Sequence, residues 1–356
     1  MRISLRRSSS TLSDLHAELT SRRLPILYDY LSPTPAHLLS TTLLDFLPPI
    51  FASSYLRLSS INQPTSTLSP LLPSAAGKSN TLPPAYHLIY FPPLTPSSAL
   101  LPDGTDPLQS PGPEFPRRMW AGGSLAFNPG LLGLRLNAQR AACVERIVDV
   151  NIKGKEGDEK IFVGLERNVG VVNEKWGEDE VRRKLGAERA DGDDAWGEVE
   201  ALRERRNIVF MRESKNRADT GERKILTASH SPTFSRTITP TPNLLLRYSA
   251  LTFNAHAIHL DPHYCRNVEH HRNLLVHGPL SFTLMMTLLN IHLKERGAGG
   301  IKEIEYRNLA PLYAEEEMKI CGRQMETSGK VEDKYEIWIE GLDGGMCVRG
   351  VAKVVS

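Results

Sequence analysis

The chain has 356 residues, 40% hydrophobic and 24% charged, with a formal net charge of +2. That length suits two domains of ordinary size. The near-neutral balance gives no footing for nucleic-acid binding. No stretch reaches the roughly 18 apolar residues of a spanning helix. The longest apolar run, Pro279 to Leu293, is interrupted by Ser281, Thr283, Asn290 and His292.

Met1 to Ser13 carries Arg2, Arg6 and Arg7, several hydroxyl residues and no acid before Asp14. Leu5, Leu12 and Leu15 would give it an apolar face, so residues 1–14 read as a possible mitochondrial targeting segment. Pro35 to Phe46 has apolar residues at helical spacing. Gln63 to Pro84 and Pro92 to Pro116 are rich in Pro with Ser, Thr or Gly, and read as loops. Between them, Ala85 to Phe91 reads as a short strand. Val144 to Ile152 alternates, Gly154 to Gly157 forms a turn, and Ile161, Val163 and Leu165 resume the period of two, which predicts a β-hairpin. Trp176 to Arg206 is densely charged and reads as a solvated helical insertion. Asn207 to Arg212 returns as a strand.

Residues 15–216 thus form a first unit with insertions, 217–242 a Ser/Thr/Pro-rich linker, and 243–356 a second unit. In the second unit a strand near Leu244 to Ser249 leads into a His-rich segment. One apolar helix follows, Pro279 to Arg296. Strands are predicted at Lys302 to Asn308, Glu315 to Arg323, Tyr335 to Glu340 and Met346 to Val354, the last entered by the turn Gly341 to Gly345. A long apolar helix followed by antiparallel strands predicts an α+β fold, a sheet wrapped around a central helix. The hairpin and strand that end the first unit suggest a degenerate duplicate of it.

Chemistry concentrates in Tyr248-Ser-Ala-Leu-Thr-Phe-Asn254-Ala-His256-Ala-Ile-His259-Leu-Asp261. Amide, imidazole and carboxylate groups here lie close enough in sequence to orient one another. His259 is the candidate proton carrier, since imidazole titrates near neutral pH. His256 and Asp261 are candidates to tune it. A metal site through His256, His259 and His263 is disfavoured, because Pro262 works against a helical His259–His263 pairing. The scattered cysteines Cys143, Cys265, Cys321 and Cys347 read as reduced thiols and not as a zinc site. In Leu275-Val276-His277-Gly278-Pro279, Pro279 fits the first turn of a helix. The Gly278 N–H then projects at the positive helix end, a candidate oxyanion donor.

These residues resemble the MaoC-like (R)-hydratase and dehydratase family, whose fold is the hotdog. That family's pattern runs Asp, any residue, Asn-Pro, an aliphatic residue and His, then a His-Gly helix start. Asn254, Ala255, His256-Ala257, Ile258 and His259 correspond here, with His277-Gly278 at the helix start. The whole chain looks closer to the mitochondrial hydroxyacyl-thioester dehydratase type 2 group and its mesaconyl-C4-CoA hydratase-like relatives. Phe115-Pro-Arg-Arg-Met-Trp120-Ala-Gly-Gly123, Arg206-Asn-Ile-Val-Phe210 and Tyr248 to Asn254 carry that likeness.

The resemblance implies a double hotdog, with the second half catalytic and the first completing a pseudo-dimer, either monomeric or in a homodimer. It implies reversible loss of water from a (3R)-3-hydroxyacyl thioester on acyl carrier protein or coenzyme A, with no metal or redox cofactor, in mitochondrial fatty acid synthesis. One departure matters: Asn254 stands where the wider family has Asp, and a neutral amide cannot act as a base. His259 is therefore assigned the proton, Asn254 the hydroxyl and Gly278 the thioester oxygen. Tyr248 and His277 support them, and Arg117, Arg118 and Trp120 are candidates for substrate contact. A C4-dicarboxylate CoA hydratase, an acyl thioesterase and a non-catalytic acyl-thioester binder remain as alternatives.

Overall fold

The computed structural model describes residues 10–47, 81–131, 133–189, 194–213, 225–326 and 333–355. Ten strands form one antiparallel sheet: β1 (Leu27–Tyr30), β2 (Arg117–Phe127), β3 (Arg140–Lys153), β4 (Lys160–Val171), β5 (Glu200–Met211), β6 (Phe234–Ile238), β7 (Ile301–Asn308), β8 (Met318–Gln324), β9 (Asp333–Glu340) and β10 (Met346–Val354). Their order is β1-β3-β4-β5-β2-β7-β10-β9-β8-β6. Adding five to each strand number turns the first half of that order into the second, reversed. The sheet thus consists of two five-stranded halves of equivalent topology, joined where β2 and β7 pair antiparallel.

That junction depends on close backbone approach. A side chain at Gly122 (φ +137°) would meet Tyr306 O of β7 at 2.3 Å, and on the other side of β2 one at Gly123 would meet Arg205 O of β5 at 1.9 Å. Only glycine fits both positions. A register shift in the β2–β5 pairing between Trp120 and Gly122 marks a bulge, the irregularity that re-aims a side chain within a strand.

Six α-helices complete the described residues: α1 (Ser10–Thr20), α2 (Pro33–Leu43), α3 (Glu178–Lys184), α4 (Pro242–Leu251), α5 (Pro262–Asn267) and α6 (Gly278–Glu295). α6 is buried nearly all round, from Leu280 to Leu293, and packs on β8, β9 and β2. This matches the predicted apolar helix. The main core runs through both halves, from Leu39 and Tyr86 to Phe282 and Ile337. Leu15 and Leu19 of α1 pack in a second cluster with Ile147, Ile161 and Phe210. Leu15, expected on the free face of a targeting segment, is therefore core; residues 1–9 lie outside the described residues.

The β3–β4 hairpin and the four C-terminal strands follow the sequence pattern. A register shift between Ile147 and Asp149 explains why Ile147 breaks the expected alternation yet is buried. Five expectations need correction. Ala85 to Phe91 is not a strand: Tyr86–Ile89 is a turn of 3-10 helix, entered through Ala85 at φ +68°. Leu244 to Ser249 is helix α4, not a strand. Its start is signalled by Thr241, whose side chain accepts from Leu244 N–H, with Pro242 at the first position. The stretch read as linker contains the edge strand β6. Among the described residues of the expected charged helical insertion, only Glu178–Lys184 is α-helix. Finally, β5 begins at Glu200, so the charged run Glu200 to Arg206 sits inside the sheet between β4 and β2.

The charges of β5 are tolerated because they are paired, with partners along β5 itself and on neighbouring elements. Glu204 lies within 3.2 Å of Arg167, 2.8 Å of Arg206 and 3.3 Å of His87. Arg167 also reaches Glu145, and Glu200 binds Arg189, Arg203 and Asn168. Burial alone would raise the Glu204 carboxyl, but Arg206, His87 and Arg167 outweigh it and hold it well below the usual range. Removing one member of such a network leaves the others charged and unpaired. Glu204→Gln is expected to destabilise the fold by about 3 kcal/mol, read as a lower urea midpoint. An unchanged midpoint would mean that the network is solvated.

Candidate active site

The chain from α4 to α6 is folded back on itself so that its polar groups converge. α4 ends at Leu251, and Phe253 at φ +52° reverses the chain. Asn254 N–H donates to Ser249 O at 2.9 Å, and Asn254 Oδ1 accepts from His256 N–H at 2.9 Å. A 3-10 turn, Ala257–His259, then brings His259 inward. Leu275 N–H donates to Ile258 O at 2.9 Å, which ties this turn to the segment entering α6.

Three imidazoles stand in a row. The His259 ring stacks on His277 at 3.6 Å between centroids, and His256 meets His259 edge-on at 5.5 Å. His259 Nδ1 lies 2.8 Å from Leu275 O. A carbonyl only accepts, so Nδ1 carries the proton and Nε2 keeps its lone pair. His277 is fully buried behind His259, with Nε2 2.8 Å from Ser249 Oγ and Tyr248 packed edge-on against its ring. Tyr248 is anchored in turn by Thr283, 3.2 Å from its hydroxyl.

Gly278 is the first residue of α6, so its N–H has no acceptor within the helix. A Cβ there would lie 2.9 Å from Asn308 Nδ2 and 3.0 Å from Trp120 Cβ. Trp120 is held by its indole N–H on Tyr306 Oη at 2.8 Å and by Asn308 Nδ2 on its carbonyl, also 2.8 Å. The helix start is thus set against the β2–β7 junction.

His259, His256, Asn254, Tyr248, Gly278, Trp120 and Arg118 all line one cavity of about 910 Å³. Its far wall comes from the first half, with Leu88, Phe91, Phe162, Leu165 and Ile208. Two expected residues are elsewhere. Asp261 does not tune His259; it caps α5, accepting from His263 N–H and Tyr264 N–H. Arg117 is paired with Glu269 at 2.5 Å and is not part of the cavity wall. Arg118 is in the wall, its Nη1 donating to the Asp106 carbonyl at 3.0 Å.

The sequence reading missed Ser249 and Asp103 as neighbours of the histidines. Asp103 lies in the Pro/Gly-rich loop of the first half, and its Oδ2 is 3.4 Å from His256 Nε2. Nothing local in that loop announces a contact so distant along the chain. Among the described residues, no group of three His, Cys, Asp or Glu side chains is placed to hold a metal ion, and no helix is long and apolar enough to cross a membrane.

In fold, the molecule belongs with the hotdog proteins of MaoC type. It aligns with a MaoC-like dehydratase from Phytophthora capsici over 96% of this chain and 98% of that one, at TM-score 0.53 and 13% identity. A second MaoC-like dehydratase aligns over 94% and 99% at TM-score 0.56 and 9% identity. The family model for hydroxyacyl-thioester dehydratase type 2 matches residues 85–314, more than half of the sequence. The chain belongs to that family. It is 28% identical to the mitochondrial hydroxyacyl-thioester dehydratase type 2 of Schizosaccharomyces pombe over 82% of this chain and 92% of that one. It is also 28% identical to the mesaconyl-C4-CoA hydratase of Chloroflexus aurantiacus over 81% and 89%.

Burial is the largest influence on all three imidazoles and keeps them neutral. It lowers His259 to about 4, against the opposing pull of the Leu275 carbonyl. His256 and His277 lie well below 6.5, pushed further by neighbouring imidazoles. The unfolded chain takes up these protons below about 6.5, whereas the folded chain refuses them until much lower pH. Unfolding free energy is therefore expected to fall as pH drops from about 6.5 toward 4. His259→Gln should flatten that slope in chemical denaturation. The same slope in the variant would place the proton uptake at other groups.

Proposed function

We propose that this hydro-lyase interconverts (3R)-3-hydroxyacyl and trans-2-enoyl thioesters, with His259 as base and Gly278 as oxyanion donor. The observation that carries this reading is the placement of a neutral imidazole lone pair and a helix-start N–H on one deep cavity. The thioester oxygen would accept from Gly278 N–H, where the helix dipole favours developing negative charge. His259 Nε2 would then take the C2 proton. As the C2–H electron pair forms the C2–C3 double bond, the C3–O bond breaks. The proton on His259 passes to the departing hydroxide, so water leaves and the imidazole returns to neutral. Hydration is the reverse.

The equivalent order of the two half-sheets supports a double hotdog, with residues 243–356 as the catalytic half and 15–216 supplying the wall of the acyl cavity. Such a chain is its own pseudo-dimer. The apolar wall residues suit an alkyl chain carried on acyl carrier protein or coenzyme A. The mitochondrial relatives support a mitochondrial role in fatty acid synthesis. Arg118, in the wall with no carboxylate bonded to it among the described residues though Asp103, Asp106 and Glu145 act on its charge, supports a second reading, an acyl chain bearing a carboxyl group as in C4-dicarboxylate substrates.

A thioesterase would need a nucleophile, and Ser249 Oγ on His277 Nε2 has the spacing of one. Among the described residues, however, His277 Nδ1 is buried with no hydrogen bond, so no carboxylate is bonded to that imidazole to offset its charge. The pair is better suited to supporting His259.

The test offers 3-hydroxyacyl thioesters of graded length, and a C4 dicarboxylate thioester, on both carriers. Enoyl absorbance is expected to rise without free thiol. His259→Ala, folded, should lose about 10²-fold or more of kcat. Thiol release without enoyl formation, or full activity in His259→Ala, would overturn the assignment. A preference for the dicarboxylate would select the substrate reading favoured by Arg118.

A further inference from the structure

Asp103 is buried, yet its own loop uses only one of its carboxylate oxygens. Oδ1 accepts from Thr105 N–H at 3.0 Å and from Thr105 Oγ1–H at 2.6 Å. Oδ2 is buried without a hydrogen bond and lies at ion-pair distance, 3.4 Å, from His256 Nε2. A carboxylate oxygen left in this state is unfavourable and calls for a reason.

The loop is also fastened to both neighbours of His256. Ala257 N–H donates to Asp103 O at 2.8 Å. Gly104, at φ +82°, lies so close to Ala255 that a Cβ would come within 2.1 Å of the Ala255 carbonyl oxygen. A turn of the first half, closed by Leu101 N–H to Thr105 O at 2.8 Å, is thus clamped on the catalytic segment of the second half.

Asn254 shows what this clamp supplies. Its Oδ1 accepts from His256 N–H, and although that oxygen keeps a second lone pair, a neutral amide cannot take up a proton, so Nδ2 is its principal contact for substrate. A C3 hydroxyl held by that donor still needs an acceptor for its own proton. We propose that Asp103 is a positioning residue for the dehydratase reaction, supplying from the first half the carboxylate that Asn254 cannot, and acting through His256. Asp103 Oδ2 fixes the proton of His256 on Nε2. His256 Nδ1 then becomes the acceptor for the C3 hydroxyl, beside His259. Asp103 itself moves no proton. The inference rests on the hydratase reading for its substrate, but the orientation of His256 does not.

Asp103→Asn gives a sharp test. Thr105 requires an oxygen at the Oδ1 position, so the amide nitrogen falls where Oδ2 was. A donor then faces Nε2, and His256 is driven to the opposite tautomer. The expected result is a loss of about 10-fold to 100-fold in kcat with little change in KM, at an unchanged unfolding midpoint. In a His256→Gln background, the same substitution should have no further effect on kcat. In ¹⁵N-labelled protein, His256 should be the Nε2–H tautomer, with its signals assigned by their loss in His256→Gln. Asp103→Asn should convert it to Nδ1–H.

Wild-type kcat in Asp103→Asn, additive losses in the double variant, or an Nδ1–H tautomer at His256 in the wild type would each overturn the proposal. If the wild-type protein forms no enoyl thioester, the hydratase reading fails, and the tautomer measurement still decides whether Asp103 orients His256.

Discussion

The pairing of β2 with β7 is the constraint on which the rest of the molecule depends. It joins the two half-sheets into one and sets where the first half meets the helix start at Gly278. Side chains alternate along a strand, so a one-residue slip would turn Trp120 to the opposite face. The stop at Gly278, the carbonyl held by Asn308 and the indole bond to Tyr306 would be lost together. Gly122 gives β7 the close approach at this crossing, and Gly123 does the same for β5 on the other side of β2.

Burial then sets the character of His259, the proposed base. Three stacked or edge-on imidazoles in an apolar pocket cannot share much positive charge, and each stays neutral at physiological pH. A base lowered to about 4 is fully available but pulls weakly on a carbon-bound proton. The barrier must therefore be lowered mainly at the other end, by stabilising the enolate oxygen. A helix-start N–H in a low-dielectric cavity is suited to that task, with removal of such donors elsewhere costing about 3 kcal/mol. In the proposed reaction, the weak base and the oxyanion donor would be two consequences of one enclosure.

Much of this was legible in the sequence where local pattern and tertiary role agree. The α6 helix, the β3–β4 hairpin and the last four strands have the periodicity of their burial. The convergence of His259, His256 and Gly278 on one cavity agrees with the motif spacing, and their catalytic roles are proposed. Legibility failed where packing overrides pattern. The Glu/Arg run of β5 resembles a solvated face but is neutralised in part by partners on β4 that are invisible in one segment. Leu244 to Ser249 could be either element by apolar content, and the decisive Thr241-Pro242 helix start was overlooked. Asp261 resembled a partner for His259 by spacing, yet a nearer claim, the open N–H groups of α5, took its carboxylate. The carboxylate at the site, Asp103, comes from the other half of the chain.

The most direct test of the central claim is a crystal structure with a non-reactive 3-hydroxyacyl thioester analogue bound. The thioester oxygen should lie within hydrogen-bond distance of Gly278 N, with C2 facing His259 Nε2 and the acyl chain running toward Phe162 and Ile208. An analogue bound with its carbonyl turned away from the start of α6, or with C2 out of reach of His259, would contradict the claim.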